Sequence, residues 1–177
     1  MGWKKFQKRV LCGKFGKLVL REVQSKDAVA LNKVINEPRV NEFMWLIAPV
    51  SLKSTREKIA TIPNQKNEKW IAAELNCEVV GSIDLKRFLG RGVHVTDFGI
   101  SFSRKVRGKG VALAAFKEVF SYLRENGVKI ISSRVFADNP RARTFYKKLG
   151  FREIGVLPRH VKKEGKYVDQ IIIIKTL

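Results

Sequence analysis

Two glycines stand among cations in "RGKGVALAAF", Arg107 to Phe116, and an apolar, helix-forming run begins directly after them. Glycine is a poor helix former, so its use at a helix entrance suggests that backbone must be left bare there. The first turn of a helix carries unpaired N–H groups and about half a positive charge, which seats phosphate oxygens. Gly108 and Gly110 would let those oxygens reach the amides with no Cβ in the way. Arg104, Lys105, Arg107 and Lys109 surround the seat with positive charge. The spacing is not that of a P-loop, and Leu113 stands where a dinucleotide fingerprint needs its third glycine. Taken alone, the segment is explained equally well by a plain glycine-bearing helix entry.

A second cluster lies downstream in "DNPRARTFYKKLGF", Asp138 to Phe151. Asn139 ends a strand, and Pro140 occupies the first helical position, where its missing N–H is no loss. Tyr146 sits two turns in, Gly150 stops the helix, and Phe151 opens the next strand.

These clusters need a scaffold to bring them together. The chain has 177 residues, 45% hydrophobic and 10% aromatic, which suits one domain with a real core. Residues 1–16 read as a basic N-terminal arm or hairpin turning at Gly13 to Gly16, and residues 17–177 as the domain proper. "KLVLREV" is β-prone, and Ser25 is placed to cap a helix through Ala28, Leu31, Val34 and Ile35. Further helices are expected over Pro38 to Trp45 and from Ser54 to just before Pro63. Three strands follow in "KWIAAEL", "EVVGSIDLKRF" and "VHVTDFGISFS", with turns at "NCE" and "LGRG". Then come the helix after Gly110, ending at Gly127, the strand "KIISSRVF", the Tyr146 helix, and closing strands in "FREIGVL" and "YVDQIIIIKTL". A meander followed by alternating strands and helices indicates an α/β (α+β) layered domain with a mixed sheet. The apolar run "QIIIIKTL" fits either a central strand or the seam of a homodimer.

With both motifs in this order, the chain resembles the GCN5-related N-acetyltransferases. Their pyrophosphate loop, Q/R-x-x-G-x-G/A, is matched by Arg107, Gly108, Lys109, Gly110, Val111 and Ala112. Their later helix, roughly N-x-x-A…Y-x-K-x-G-F, is matched by Asn139, Ala142, Tyr146, Lys148, Gly150 and Phe151. The segments around Leu20–Val40, Thr96–Gly110 and Gly150–Leu177 resemble the branch that acetylates ribosomal-protein N-termini and polyamines. The resemblance implies a single domain with a sheet of about six to seven strands, parted between the fourth and fifth. It implies acetyl-CoA as donor, an amine as acceptor and no metal. The loop from Arg107 to Ala112 would seat the diphosphate. Ile100, Ser101 and Phe102 would pair with the pantetheine arm as a strand edge does, and Asn139 would bond that arm or cap its helix. Tyr146 would protonate the departing thiolate, its bland alternative being an amphipathic core residue. Asp97 would take the proton of the incoming ammonium, its alternative being a solvated strand carboxylate. Glu42 and Glu74 are weaker candidates with surface roles, and His94 and His160 match no metal pair.

The formal charge of +20, from 36 bases against 16 acids, narrows the acceptor. Between Asn139 and Tyr167 there are nine Lys or Arg and two Glu, which disfavours a polycation. A peptide or protein α-amine fits better, in a ternary complex with direct attack; a small acidic amine metabolite is the alternative. Such a field also draws RNA, so a basic acetyltransferase would be steered to the ribosome, and a non-catalytic nucleic-acid-binding module is the competing reading. No run of eighteen apolar residues or secretory signal is present, which predicts a cytoplasmic protein without a membrane partner. Cys12 and Cys77 read as free thiols, buried or half-buried.

Overall fold

The computed structural model describes residues 2–177. The order is β1 (Arg9–Gly13), β2 (Gly16–Glu22), α1 (Ala28–Ile35), α2 (Pro38–Asn41), α3 (Leu52–Thr61), β3 (Glu68–Leu75), β4 (Glu78–Arg87), β5 (Val95–Phe102), α4 (Val111–Glu125), β6 (Ile130–Phe136), α5 (Pro140–Lys148), β7 (Arg152–Lys163) and β8 (Lys166–Thr176). Eight strands form one mixed sheet in the order β1-β2-β3-β4-β5-β6-β8-β7. The strand beyond the expected number is β1, which pairs antiparallel to β2 and makes the basic N-terminal stretch part of the sheet.

The sheet has two differently dressed faces. Ile83 and Leu85 of β4, Phe98 of β5, Ile131 and Val135 of β6 and Ile171 and Ile173 of β8 pack with the apolar stripe of α4 and with Tyr146 and Leu149 of α5. On the opposite face, Trp70 of β3 packs with Ala28, Leu31 and Ile35 of α1 and Ile59 of α3. Side chains alternate between faces along a strand. Asp84, Asp97, Phe136 and Gln170 therefore belong to the α1/α3 face.

The feature that shapes the site is the join of β5 to β6. It is the one parallel pairing in the sheet, and it holds for only two residue pairs, Val95 with Ile130 and Thr96 with Ile131. Beyond Thr96 the strands part, as the family resemblance implies. Each half-sheet stays zipped on its outer side, β5 to β4 through Phe102 and β6 to β8 through Phe136.

Several local expectations are corrected. Ser25 is not a cap: it begins a short 3-10 turn over Ser25–Asp27, and the Asp27 carboxylate accepts from the Gln24 amide at 2.8 Å. The cap of α3 is Ser51, whose hydroxyl accepts from the Ser54 amide at 3.0 Å. Helix α2 ends at Asn41, well before Trp45. The chain from Glu42 to Val50 instead loops outward, pinned by the Asn36 side chain, which bonds both main-chain groups of Val50. Strand β7 runs to Lys163, beyond "FREIGVL". The run through Ile171–Ile174 is an interior strand between β6 and β7, so its apolar character is accounted for without a second chain. Cys12 and Cys77 are free but exposed rather than buried: one lies on the sheet's outermost strand, the other in the β3–β4 turn. Among the described residues, no helix is long and apolar enough to cross a membrane.

Candidate active site

Helix α4 opens at Gly110, whose φ is +78, with Gly108 at +75; only glycine adopts such values without strain. A Cβ built on either meets no atom within 4 Å, so both face open space. The amides of Val111, Ala112 and Leu113 have no protein acceptor among the described residues, and the first intrahelical bond is from Ala114 to Gly110 at 2.9 Å. Bare donors at a helix mouth fit a diphosphate.

The cations come from three parts of the chain. Arg107 reaches across to α2 and donates to the Arg39 carbonyl at 2.9 Å. Its pKa is lowered, first by burial and then by the crowding of Arg141 and Arg104. Arg104 and Arg107 were legible beside the glycines, whereas Arg39 and Arg141 come from α2 and α5 and carry no signal in the spacing. Cations brought together at a mutual cost favour an anion among them.

The edge of β5 turned to the gap is defined by two bonds. Ser133 of β6 donates its hydroxyl to the Phe98 carbonyl at 3.2 Å, so Phe98 faces the gap. Ser103 donates its amide to Val80 of β4 at 2.8 Å, so odd-numbered residues face β4. By strand alternation the main-chain groups of Ile100 and Phe102 look into the gap, and those of Ser101 look to β4. The Ser101 hydroxyl bonds that of Ser82 at 3.2 Å on the α1/α3 face.

Tyr146 enters from the other side. Its ring packs edge-on against Phe98, 5.5 Å between centroids, and against Phe151 at 5.7 Å. Burial pushes its hydroxyl well above the usual phenol value, and the charges of Asp97 and Asp84 push it further. Those carboxylates belong to the opposite face. The parting of β5 and β6 is what lets a phenol on one side feel acids on the other.

Asp97 is half-buried and accepts from the Phe98 amide at 2.7 Å. Asp84 was missed in the sequence. It pairs with Gly99 across the β4–β5 ladder, and its carboxylate lies over the bare Gly99 Cα: an added Cβ would sit 2.6 Å from Oδ1. Burial raises its pKa, Lys58 opposes the rise, and Asp97 adds to it. The available signal is an acid between Ile83 and Leu85 in the interior of a strand, where aspartate is depleted.

The other candidates have structural partners. Asn139 caps α5, its side chain accepting from the Ala142 amide at 3.0 Å. Glu42 and Glu74 are ion-paired with Lys163 and Arg21. His94 and His160 are exposed, and no group of metal-binding side chains occurs among the described residues. Phe136 ends β6 at the mouth of the gap. Phe43 and Trp45 from the pinned loop pack on it edge-on at 6.3 and 6.1 Å, and Trp45 reaches on to His160 at 6.2 Å. These aromatics line the α1/α3 side of the opening.

Comparison with known proteins gives the family and the fold. Residues 17–152 match the family described as an acetyltransferase (GNAT) domain. The chain is 30% identical over 156 residues to an L-amino acid N-acetyltransferase, AaaT, of Escherichia coli K12, covering 86% of this chain and 93% of that protein. Among solved structures, Mycobacterium smegmatis RimJ in complex with CoA-disulfide superposes with a TM-score of 0.83 at 19% identity, covering 96% of this chain and 86% of the other. A ribosomal-protein-alanine N-acetyltransferase from Brucella melitensis gives 0.80 at 22% identity, covering 89% and 99%. The chain therefore belongs to the GNAT acetyltransferases and is an acetyl-CoA-dependent N-acetyltransferase.

Proposed function

We propose that the acceptor is an α-amine, at the N-terminus of a peptide or protein. The observation that carries this reading is the pair Asp84 and Asp97, gathered on the α1/α3 face within electrostatic reach of Tyr146. Two acids suffice to draw in and deprotonate one ammonium group. They do not line a channel for a polycation, and the chain around them carries +20. An α-amine, with a pKa near 8, gives up its proton far more readily than a lysine near 10.4. The names of two relatives, an L-amino acid N-acetyltransferase and a ribosomal-protein-alanine N-acetyltransferase, both point to α-amines.

Acetyl-CoA, when bound, supplies the thioester whose acyl carbon the amine attacks. The mouth of α4 and the arginines around it hold the diphosphate, each charged hydrogen bond contributing about 1.5–3 kcal/mol. Ile100 and Phe102 hold the amide-bearing arm as an added strand does, and an N–H on this edge polarises the thioester carbonyl. Asp84, or Asp97 beside it, accepts the ammonium proton. Neutralising that carboxylate removes one of the causes that hold the Tyr146 proton. The base step thus readies the acid: Tyr146 donates to the sulfur as it leaves, and its phenolate takes up the second proton that the acylated nitrogen sheds to become an amide.

A thiol-release screen tests this. α-Amino peptides should turn over faster than matched lysine side chains or polyamines. Equal or faster release with polyamines would overturn the assignment of the acceptor.

A further inference from the structure

Gln170 is the one described side chain with both its donor and its acceptor buried and unpartnered. The residue is 0% exposed, and neither Oε1 nor Nε2 has a hydrogen-bond partner. Buried amides are nearly always satisfied in folded proteins, so an exception calls for an explanation, and a ligand is one. Its position indicates which ligand. On β8 it stands between Phe136 of β6 and Leu157 of β7, in one row on the face that carries Asp84 and Asp97. Trp45 spans this row from Phe136 to His160. Beyond Leu157 the β7 ladder breaks into a bulge over 158–160, held by the Asp169 carboxylate, which accepts from the Arg159 amide at 2.7 Å. On the opposite side the loop is tied down through Lys163, which bridges Glu42 and Asp138 at 3.0 Å each. Gln170 is thus wholly buried in a strand row whose Phe136 end is covered by Trp45. That indole is itself 61% exposed and is the piece an entering chain would displace.

We propose that Gln170 reads the main chain of the acceptor, selecting a peptide over a free amino acid. The proposal rests on the α-amine reading given above. A carboxamide presents an acceptor and a donor side by side. An extended peptide residue presents its N–H and C=O side by side on one edge, as in an antiparallel ladder, and the two match. A free amino acid has a carboxylate and no amide N–H. It would leave Oε1 facing a negative oxygen, and sites built around a buried polar group reject ligands that leave it unpaired. A polyamine offers donors alone and leaves Nε2 unmet.

The test compares dialanine amide with its depsipeptide analogue, in which an ester oxygen replaces the inter-residue N–H, and with free alanine. Thiol release gives kcat and KM for wild type and Gln170→Leu, and calorimetry with CoA certifies that each variant is folded. Gln170→Met, closer in shape, replaces the leucine variant if that one does not bind CoA. Wild type should prefer the dipeptide by about 10- to 100-fold in kcat/KM over either analogue. The variant should lose that preference through KM, with kcat for the depsipeptide and CoA affinity unchanged. A preference that survives in the variant, as expected if Gln170 merely holds a water molecule, overturns the proposal. So does a wild type indifferent to the ester. If CoA binds but no α-amine is acetylated, the acceptor assignment itself falls and this inference with it.

Discussion

Gly110 and Gly127 stand at opposite ends of α4 and share one backbone problem. Their φ values are +78 and +75, and a Cβ built on either meets nothing within 4 Å. Alanine at either position should therefore introduce the same left-handed strain, about 1–2 kcal/mol, with no clash to add to it. For a chain of this size that lowers Tm by roughly 2–4 °C per kcal/mol in both variants. The two should diverge on coenzyme binding. At Gly110 the new methyl projects into the open mouth where partnerless amides wait. Losing one charged hydrogen bond there costs about 1.5–3 kcal/mol, or roughly 10- to 100-fold in Kd. At Gly127 nothing is bound, and Kd should stay within about twofold, since no contact worth even 1.4 kcal/mol, a tenfold change, is touched. Thermal melts establish the equal strain, and calorimetry with CoA below both melting temperatures reads the difference. Equal losses of affinity, or none at Gly110, would refute the placement of the diphosphate at the start of α4.

Tyr146→Phe should lower turnover by about 10²–10⁴ while CoA affinity is unchanged, because the ring contacts with Phe98 and Phe151 survive; steady-state thiol release checks it. Asp84→Asn should also lower turnover, yet stabilise the fold at neutral pH. The native carboxyl is raised by burial, so its ionisation opposes folding. This advantage should vanish as pH falls below the ordinary carboxylate range near 4, where both states of the wild type hold the proton; urea melts at the two pH values read it. Asp27→Ala should cost about 3 kcal/mol at neutral pH, since it leaves Arg21 with Glu74 alone. Burial pushes the Asp27 carboxyl up, but the Arg21 hydrogen bonds and the Gln24 amide more than reverse this and leave it low. Its contribution is thus present above the unfolded carboxylate value and lost as pH falls through the folded one, which melts of wild type against the variant should show.

What could be read in advance was what is written locally. Pro140 at the first position of α5, Gly150 after its end, and Gly108 and Gly110 before α4 are punctuation that the backbone obeys within a few residues. The glycine loop is legible from its own residues, whereas Tyr146 is singled out only by the family resemblance, whose motif fixes its distance from Asn139 along one helix. Asp84, Gln170, Arg39 and Arg141 were not found, for one shared reason. Each takes its place through pairing or packing with an element far away in sequence, and no local period records which face of the sheet it will join. Trp45 was placed on a helix because its neighbourhood reads as helical. The bonds from Asn36 to Val50 instead draw the chain out into a loop. Residue type favours burial for cysteine, but Cys12 lies on the edge strand β1 and Cys77 in the β3–β4 turn, and both are exposed.

The two-pair join of β5 to β6 has a consequence for the life of the protein outside its reaction. An unpaired strand rim is ordinarily a hazard, an invitation for foreign chains to stack and precipitate. Here the rim runs through the middle of the molecule, flanked by β4 on one side and by the β6–β8 pair on the other. A rim flanked on both sides within one sheet offers no free outer edge to another protein's strand, so its open valences are shielded from self-association by their own architecture.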